Sequence, residues 1–80
     1  MNRIEKLEEY LRATPEDSFL LHALALECIK IGEEQRARTL FESVLQRDPE
    51  YVGSYYHLAK LLERTGLPAE AIPVYRKGID

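Results

Sequence analysis

The sequence has little of what stabilises a small secreted protein or crosses a membrane. Only one of its 80 residues, Cys28, is a cysteine, so no disulfide can form within the chain and nothing indicates an oxidising compartment. The longest apolar-rich stretch, residues 19–31, is interrupted by His22, Glu27 and Lys30. It is also too short to span a bilayer, which takes about 20 apolar residues. We therefore expect no membrane association.

The chain also lacks an excess of basic residues and a secretion signal. Its formal net charge is -3 and its sequence pI is about 5.4, whereas nucleic-acid-binding domains usually carry a basic stripe. Residues 1–12 are charged and amphipathic, whereas a signal peptide would have an apolar segment before a small-residue cleavage site. We expect a soluble, cytoplasmic protein that does not bind nucleic acid.

Motifs for catalysis are missing as well. There is no glycine-rich phosphate loop, no supported Ser–His–Asp arrangement and no pair of carboxylates in a predicted cleft. The only imidazoles, His22 and His57, suggest either a metal or proton-transfer pair or two polar residues of a binding surface. The second interpretation is favoured because a metal site needs three or four ligands. Cys28 is expected to be a packed core thiol. We expect no enzymatic activity, no cofactor and no metal site.

What the chain does have is a repeat of 34 residues. Residues of the same type or class recur at this spacing: Pro15 and Pro49, Glu16 and Glu50, Leu24 and Leu58, Ala25 and Ala59, Gly32 and Gly66, Ala37 and Ala71, and Phe41 and Tyr75. This period is the length of one helix–turn–helix unit that stacks on copies of itself. Such units bury their apolar faces against their neighbours and usually hold other proteins.

Apolar periodicity within this repeat predicts five helices. Their predicted ranges are residues 1–13, 15–31, 34–47, 49–65, and 68 to the end of the chain. Thr14 and Asp48 are predicted to cap the second and fourth helices, with a proline at the first helical position of each. Gly32 and Gly66 are predicted to end these two helices in the left-handed conformation. Pro73 is expected to bend the fifth helix slightly without breaking it.

These residues resemble the tetratricopeptide repeat (TPR) family. The first copy supplies Leu21, Leu24, Ala25, Gly32, Ala37, Phe41, Val44 and Pro49, and the second supplies Tyr55, Leu58, Ala59, Gly66, Ala71, Tyr75 and Gly78. The resemblance covers essentially the whole chain, although neither copy has tryptophan at the bulky position. It implies an all-α fold, a TPR-like right-handed α-solenoid of five antiparallel helices. It also implies a single domain over residues 1–80, with a half repeat at 1–14, a full repeat at 15–48 and a truncated repeat at 49–80.

The resemblance also implies an inner face that binds a peptide or helix of a partner protein. In this register the inner-face residues are His22, Leu26, Ile29, Tyr56, His57, Lys60 and Arg64. Phe19 and Lys30 should face the same side. An alternative for Phe19, Leu26 and Ile29 is extra packing against the first helix or a loop. The family's carboxylate clamp is not carried over, because His22 stands where its lysine would be and its asparagines are absent.

A second function, from a different class, also fits the sequence. Ile72, Tyr75 and Ile79 lie where a further helix would pack in a longer array, and no polar capping helix follows them. The chain could therefore be a structural self-associating unit, either a homodimer or a segment of a longer TPR array. The two functions predict different exposed apolar surfaces. Partner binding predicts an apolar groove, and self-association predicts an apolar end near Ile72 and Ile79.

Overall fold

A computed structural model describes residues 1–79 of the chain, and Asp80 lies outside the described residues. Five α-helices follow one another: α1 (Arg3–Ala13), α2 (Ser18–Lys30), α3 (Glu34–Arg47), α4 (Val52–Arg64) and α5 (Pro68–Ile79). Residues 1–79 contain no β-strand. Consecutive helices pack against each other in an antiparallel solenoid, which confirms the predicted fold class. No helix in the described part of the chain is long and apolar enough to cross a membrane.

Helix α1 starts at Arg3 because Asn2 caps it. The Asn2 side chain accepts a hydrogen bond from the Glu5 N–H at 2.8 Å, and the Glu5 carboxylate accepts one from the Asn2 N–H at 3.3 Å. This reciprocal pair is a capping box, which satisfies two backbone donors at the helix start. The predicted start at residue 1 was therefore two residues too early.

The prediction that Pro15 opens α2 was wrong. Pro15 is instead the second residue of a turn in which the Asp17 N–H donates to the Thr14 carbonyl at 3.1 Å. Proline suits this position because its fixed φ matches the turn. Asp17, not Thr14, caps α2, because its carboxylate accepts from the Leu20 N–H at 3.0 Å. Thr14 instead terminates α1.

The same correction applies one repeat later. Pro49 lies in a turn closed by a hydrogen bond of 3.0 Å from the Tyr51 N–H to the Asp48 carbonyl, and α4 begins at Val52. The phenolic hydroxyl of Tyr55 donates to the Pro49 carbonyl at 2.8 Å, which holds this turn against α4. Both prolines thus shape the turns between repeats.

The predicted glycine terminators are confirmed. Gly32 and Gly66 have φ of 80° and 85°, a left-handed conformation that favours glycine over residues with a side chain. They end α2 and α4 and allow the chain to reverse into α3 and α5. Helix α5 runs from Pro68 to Ile79 through Pro73 without a break, as expected.

The core lies where the helices cross, and its smallest residues are the repeated alanines. Ala25, Ala37 and Ala59 are fully buried and Ala71 is 1% exposed. Helix α3 packs against both α2 and α4, whereas α5 packs against α4. Phe41, on α3, is consequently fully buried. Its repeat equivalent on α5 is only half-buried. This arrangement leaves one side of α2 and α4 open beside the Phe41 ring.

Candidate functional site

A groove with a volume of about 780 Å³ runs along helices α2 and α4. All seven residues predicted for the inner face line it, namely His22, Leu26, Ile29, Tyr56, His57, Lys60 and Arg64. Phe19 and Lys30 line it as well, as predicted, and Arg3 reaches it from α1. The structure therefore brings residues that are distant in sequence to one continuous surface.

Two contacts show that α2 and α4 run in the same direction along the groove. Near their starts, the ring centroids of His22 and His57 are 5.5 Å apart. Near their ends, Arg64 Nε lies 2.6 Å from Oε2 of Glu34, which follows α2 in the chain. The exposed aromatic residues Phe19 and Tyr56 consequently lie toward one end of the groove. The basic residues of the last helical turns lie toward the other.

The two histidines form part of the floor of the groove. His22 Nδ1 is 2.7 Å from the hydroxyl oxygen of Ser54, which is fully buried on α4. Below them lies the Phe41 ring, edge-on to His22 at 5.5 Å and stacked with His57 at 6.1 Å between centroids. The His22–Ser54 hydrogen bond and the Phe41 ring thus hold α2 and α4 together from beneath the groove.

Both histidines favour the neutral form. Burial lowers the pKa of His22, and the charge of His57 lowers it further, while burial alone lowers the pKa of His57. Residues 1–79 contain no group of three metal-ligating side chains around them. A nucleophilic role for Ser54 is not supported, because its hydroxyl is buried beneath His22. The arrangement fits the interpretation of polar groove residues.

These shifts predict that acid destabilises the domain. The pKa of each histidine in the folded chain lies below the ordinary 6.5. At pH values between the folded-state pKa and 6.5, the unfolded chain therefore binds more protons than the folded chain. The contribution of the neutral histidines to the free energy of unfolding is complete above pH 6.5. It is lost as the pH falls through their folded-state pKa values. Urea unfolding between about pH 7.5 and about pH 5 should therefore show a steeper loss of stability for the wild type than for His22→Gln combined with His57→Gln. The two proteins have the same carboxylates, so only the histidines can make their pH profiles differ. Parallel profiles would therefore contradict the lowered pKa values of the histidines.

The walls of the groove combine half-buried and exposed apolar residues. Leu26 and Ile29 are half-buried, whereas Phe19 and Tyr56 are 66% and 53% exposed. An exposed apolar strip rimmed by polar groups is typical of a protein-binding surface. The alternative of extra packing is not supported for Phe19, since most of its surface remains accessible.

The rim of the groove carries more positive than negative charge. Glu27 lies between two cations, with its Oε2 3.3 Å from Arg3 Nε and 3.0 Å from Lys30 Nζ. Arg64 is paired with a carboxylate beyond the groove. Lys60 makes no ion pair with any other residue among 1–79, and its Nζ lies 5.9 Å from the centroid of the Tyr56 ring.

Sequence reasoning missed three polar residues of this site. Arg3 aligns with Ala37 and Ala71, which are buried where helices cross, so the repeat register argued against an exposed cation there. Ser54 carries no local signal that it meets a histidine on another helix. Glu27 was predicted only as an interruption of an apolar stretch, although its position one turn before Lys30 suggests a surface ion pair.

Comparisons with known proteins agree with this architecture. A family model described as Tetratricopeptide repeat matches residues 29–79, more than half of the chain. A solution NMR structure of a tetratricopeptide repeat domain protein from Salinibacter ruber is 49% identical, with a TM-score of 0.78. The alignment covers 81% of this chain and 66% of that one. A crystal structure of a tetratricopeptide repeat domain protein from Salinibacter ruber is 48% identical over 79% of this chain and 70% of that one, with a TM-score of 0.76.

The crystal structure of MamA is similar in fold, with a TM-score of 0.90 and 21% identity over 95% of this chain and 44% of that one. The chain thus spans less than two thirds of the length of MamA and of the protein in the solution structure. No curated protein matches the sequence. The matched residues include the second repeat, where Leu58, Ala59, Gly66 and Ala71 recur in phase with the first. The chain belongs to the tetratricopeptide repeat family.

Proposed function

We propose that this domain is a protein–protein interaction module that binds a peptide or helix of a partner protein in the groove along α2 and α4. The observation that carries the proposal is the accessible apolar strip formed by Phe19, Leu26, Ile29 and Tyr56 along the groove. Aromatic side chains contribute much of the energy at protein interfaces because they bury large areas with few rotatable bonds. The lining residues on α2 run from Phe19 to Lys30, which is about 16 Å at 1.5 Å per residue and matches several residues of an extended peptide.

Binding is favoured over catalysis because the two groove groups best suited to proton transfer, the His22 imidazole and the Glu27 carboxylate, are already engaged. The imidazole of His22 is held by a buried hydroxyl, and Glu27 is held by two cations. We also propose a cytoplasmic location, on the basis of the single cysteine, which leaves no disulfide to indicate an oxidising compartment. Fluorescent tagging of the full protein in its native cell would test this location.

The first test removes the aromatic and basic side chains of α4 together. Tyr56→Ala with Lys60→Glu is expected to weaken partner binding at least about tenfold, since loss of an interface aromatic and inversion of a neighbouring charge together exceed 1.4 kcal/mol. Binding is measured by fluorescence anisotropy with a peptide selected against the wild type. Helical circular dichroism should be unchanged, because both residues are exposed.

Helix α1 offers a matched control for this variant. Lys6 and Tyr10 are also one helical turn apart and exposed, but they lie outside the groove. Lys6→Glu with Tyr10→Ala makes the same change in charge and should leave binding intact. If the α4 variant bound as tightly as the α1 variant, the groove would not be the binding surface.

A second candidate function, self-association, is supported by apolar surface where the end of α5 lies beside the start of α4. A cleft of about 190 Å³ there is lined almost entirely by apolar atoms of Val52, Tyr56, Tyr75, Gly78 and Ile79. Hydrogen bonding to Glu63 satisfies the Tyr75 hydroxyl and raises its pKa to about 12. Association with a second copy would bury these apolar groups, at about 25 cal/mol per Å².

Sedimentation velocity over a range of concentrations distinguishes this candidate. Ile72 and Ile79 are 53% and 83% exposed, so Ile72→Glu with Ile79→Glu should abolish a dimer without unfolding the domain. Ile31→Glu, a change at another exposed isoleucine away from α5, is the control. A wild type that stays monomeric at the highest concentration would rule out self-association through this end. A substitution of Tyr56 alone does not discriminate between the two functions, because Tyr56 borders both surfaces.

A further inference from the structure

The charge of the groove is opposite in sign to that of the whole chain. The protein has a formal net charge of -3, yet the five charged side chains that line the groove are four cations and one anion. Electrostatic complementarity steers oppositely charged partners to such a patch and disfavours partners of like charge. The groove therefore attracts negatively charged ligands, whereas the net charge of the whole chain repels them.

Most of these cations have a role within the chain. Arg3 and Lys30 share the Glu27 carboxylate, and Arg64 pairs with Glu34. Lys30 and Arg64 also lie in the last turns of their helices, where basic residues interact favourably with the negative end of the helix dipole. Neither pairing nor helix position explains Lys60, which lies before the last turn of α4.

Lys60 stands beside the apolar strip. Its ammonium is 5.9 Å from the Tyr56 ring centroid, and both side chains line the same groove as Leu26 and Ile29. A carboxylate that reached Lys60 would therefore bring the neighbouring residues of its own chain against apolar surface. A ligand that carries both kinds of group satisfies this site better than one that is only charged or only apolar.

We infer that the occupant of the groove is an acidic protein segment in which an aliphatic or aromatic side chain contacts the apolar strip and a nearby carboxylate pairs with Lys60. This inference rests on the proposed function, since it assigns the chemistry of the partner to the same groove. A nucleic acid also offers negative charge and stackable rings. Its phosphate backbone, however, is bound by several cations along a track, whereas the groove leaves one cation unpaired among residues 1–79.

The test uses a displayed library of random peptides selected against the purified domain. Acidic peptides that contain a bulky apolar residue are expected to be enriched. For the tightest of them, replacing Asp and Glu by Asn and Gln should weaken binding at least about fivefold in anisotropy measurements, and added salt should weaken the acidic form more. Lys60→Gln should weaken binding of the acidic peptide and leave that of its amide analogue unchanged. Lys6→Gln, the control on α1, should alter neither.

The outcomes separate this inference from the function on which it rests. Groove dependence is judged with Phe19→Ala combined with Tyr56→Ala, since both side chains are exposed. If the selected peptides lose binding to that variant but are neutral or basic, the acidic assignment is wrong and groove binding stands. If no selected peptide depends on those aromatics, both fail. If oligothymidylate displaces the selected peptide at equal concentration, the occupant is a nucleic acid and the inference is overturned.

Discussion

Replacing Phe41 by alanine is expected to lower the free energy of unfolding by about 3 to 5 kcal/mol. The Phe41 ring is fully buried on α3, between the two helices that form the groove, and it contacts His22 and His57. Its removal leaves a cavity that the surrounding helices fill only in part. For 80 residues the total stability is on the order of 4 to 12 kcal/mol, so this variant loses a large part of it.

Urea denaturation followed by circular dichroism measures this loss, and the repeat supplies the control. Tyr75 occupies the equivalent position 34 residues later but is half-buried at the outer side of the solenoid. Tyr75→Ala should therefore cost clearly less than Phe41→Ala. Equal losses for the two variants would contradict the central position of α3. Retention of the wild-type midpoint by Phe41→Ala would contradict the assigned core.

The second large effect is expected at a position where the chain requires a small side chain. Ala25 is fully buried in α2, which packs closely against α3. Ala25→Leu inserts three further carbon atoms into this crossing and should lower the free energy of unfolding by about 1 to 3 kcal/mol through overpacking. For a domain of this size, about 4 to 8 °C of melting temperature corresponds to each kcal/mol.

Ala69 on α5 is the matched control for this substitution, because it is an exposed alanine in a helix. Ala69→Leu should leave the melting temperature almost unchanged, since alanine and leucine have similar helix propensities. A comparable loss of stability in both variants would mean that the effect is local to the helix. An unchanged melt for Ala25→Leu would place the helix crossing elsewhere and contradict the repeat register.

The repeat made most of the fold predictable. In-phase alanines mark the helix crossings, and Gly32 and Gly66 mark the two left-handed turns, because each of these positions has a steric requirement that few residues meet. The predicted bounds of α3 agree with the structure. The division into a half repeat and two repeats, at residues 1–14, 15–48 and 49–80, stays a prediction based on the family's phase.

The turns before α2 and α4 were predicted less well, for a physical reason. Proline after a polar residue fits both the first position of a helix and the second position of a turn. Only the backbone hydrogen bonds from Asp17 to Thr14 and from Tyr51 to Asp48 distinguish the two arrangements. Such bonds depend on how the chain enters the next repeat, and local sequence does not contain that information.

The positions of the groove residues followed from the register, but their partners did not. Lys60 and Arg64 were both predicted for the inner face, but the sequence did not show that Arg64 would pair with Glu34 from the start of α3. The hydrogen bond between His22 and Ser54 likewise joins residues on different helices. These pairings are set by helix packing, so a periodic pattern within one chain segment cannot predict them.

We propose that the groove along α2 and α4 is the partner-binding surface. Titrating the ¹⁵N-labelled domain with an acidic peptide selected against it, and following the amide signals by NMR, tests this claim most directly. We predict saturable chemical-shift changes centred on Leu26, Ile29 and Lys60, with little change in the outward-facing residues of α5. Changes centred instead on Ile72 and Ile79 would contradict it, and so would the absence of any saturable change.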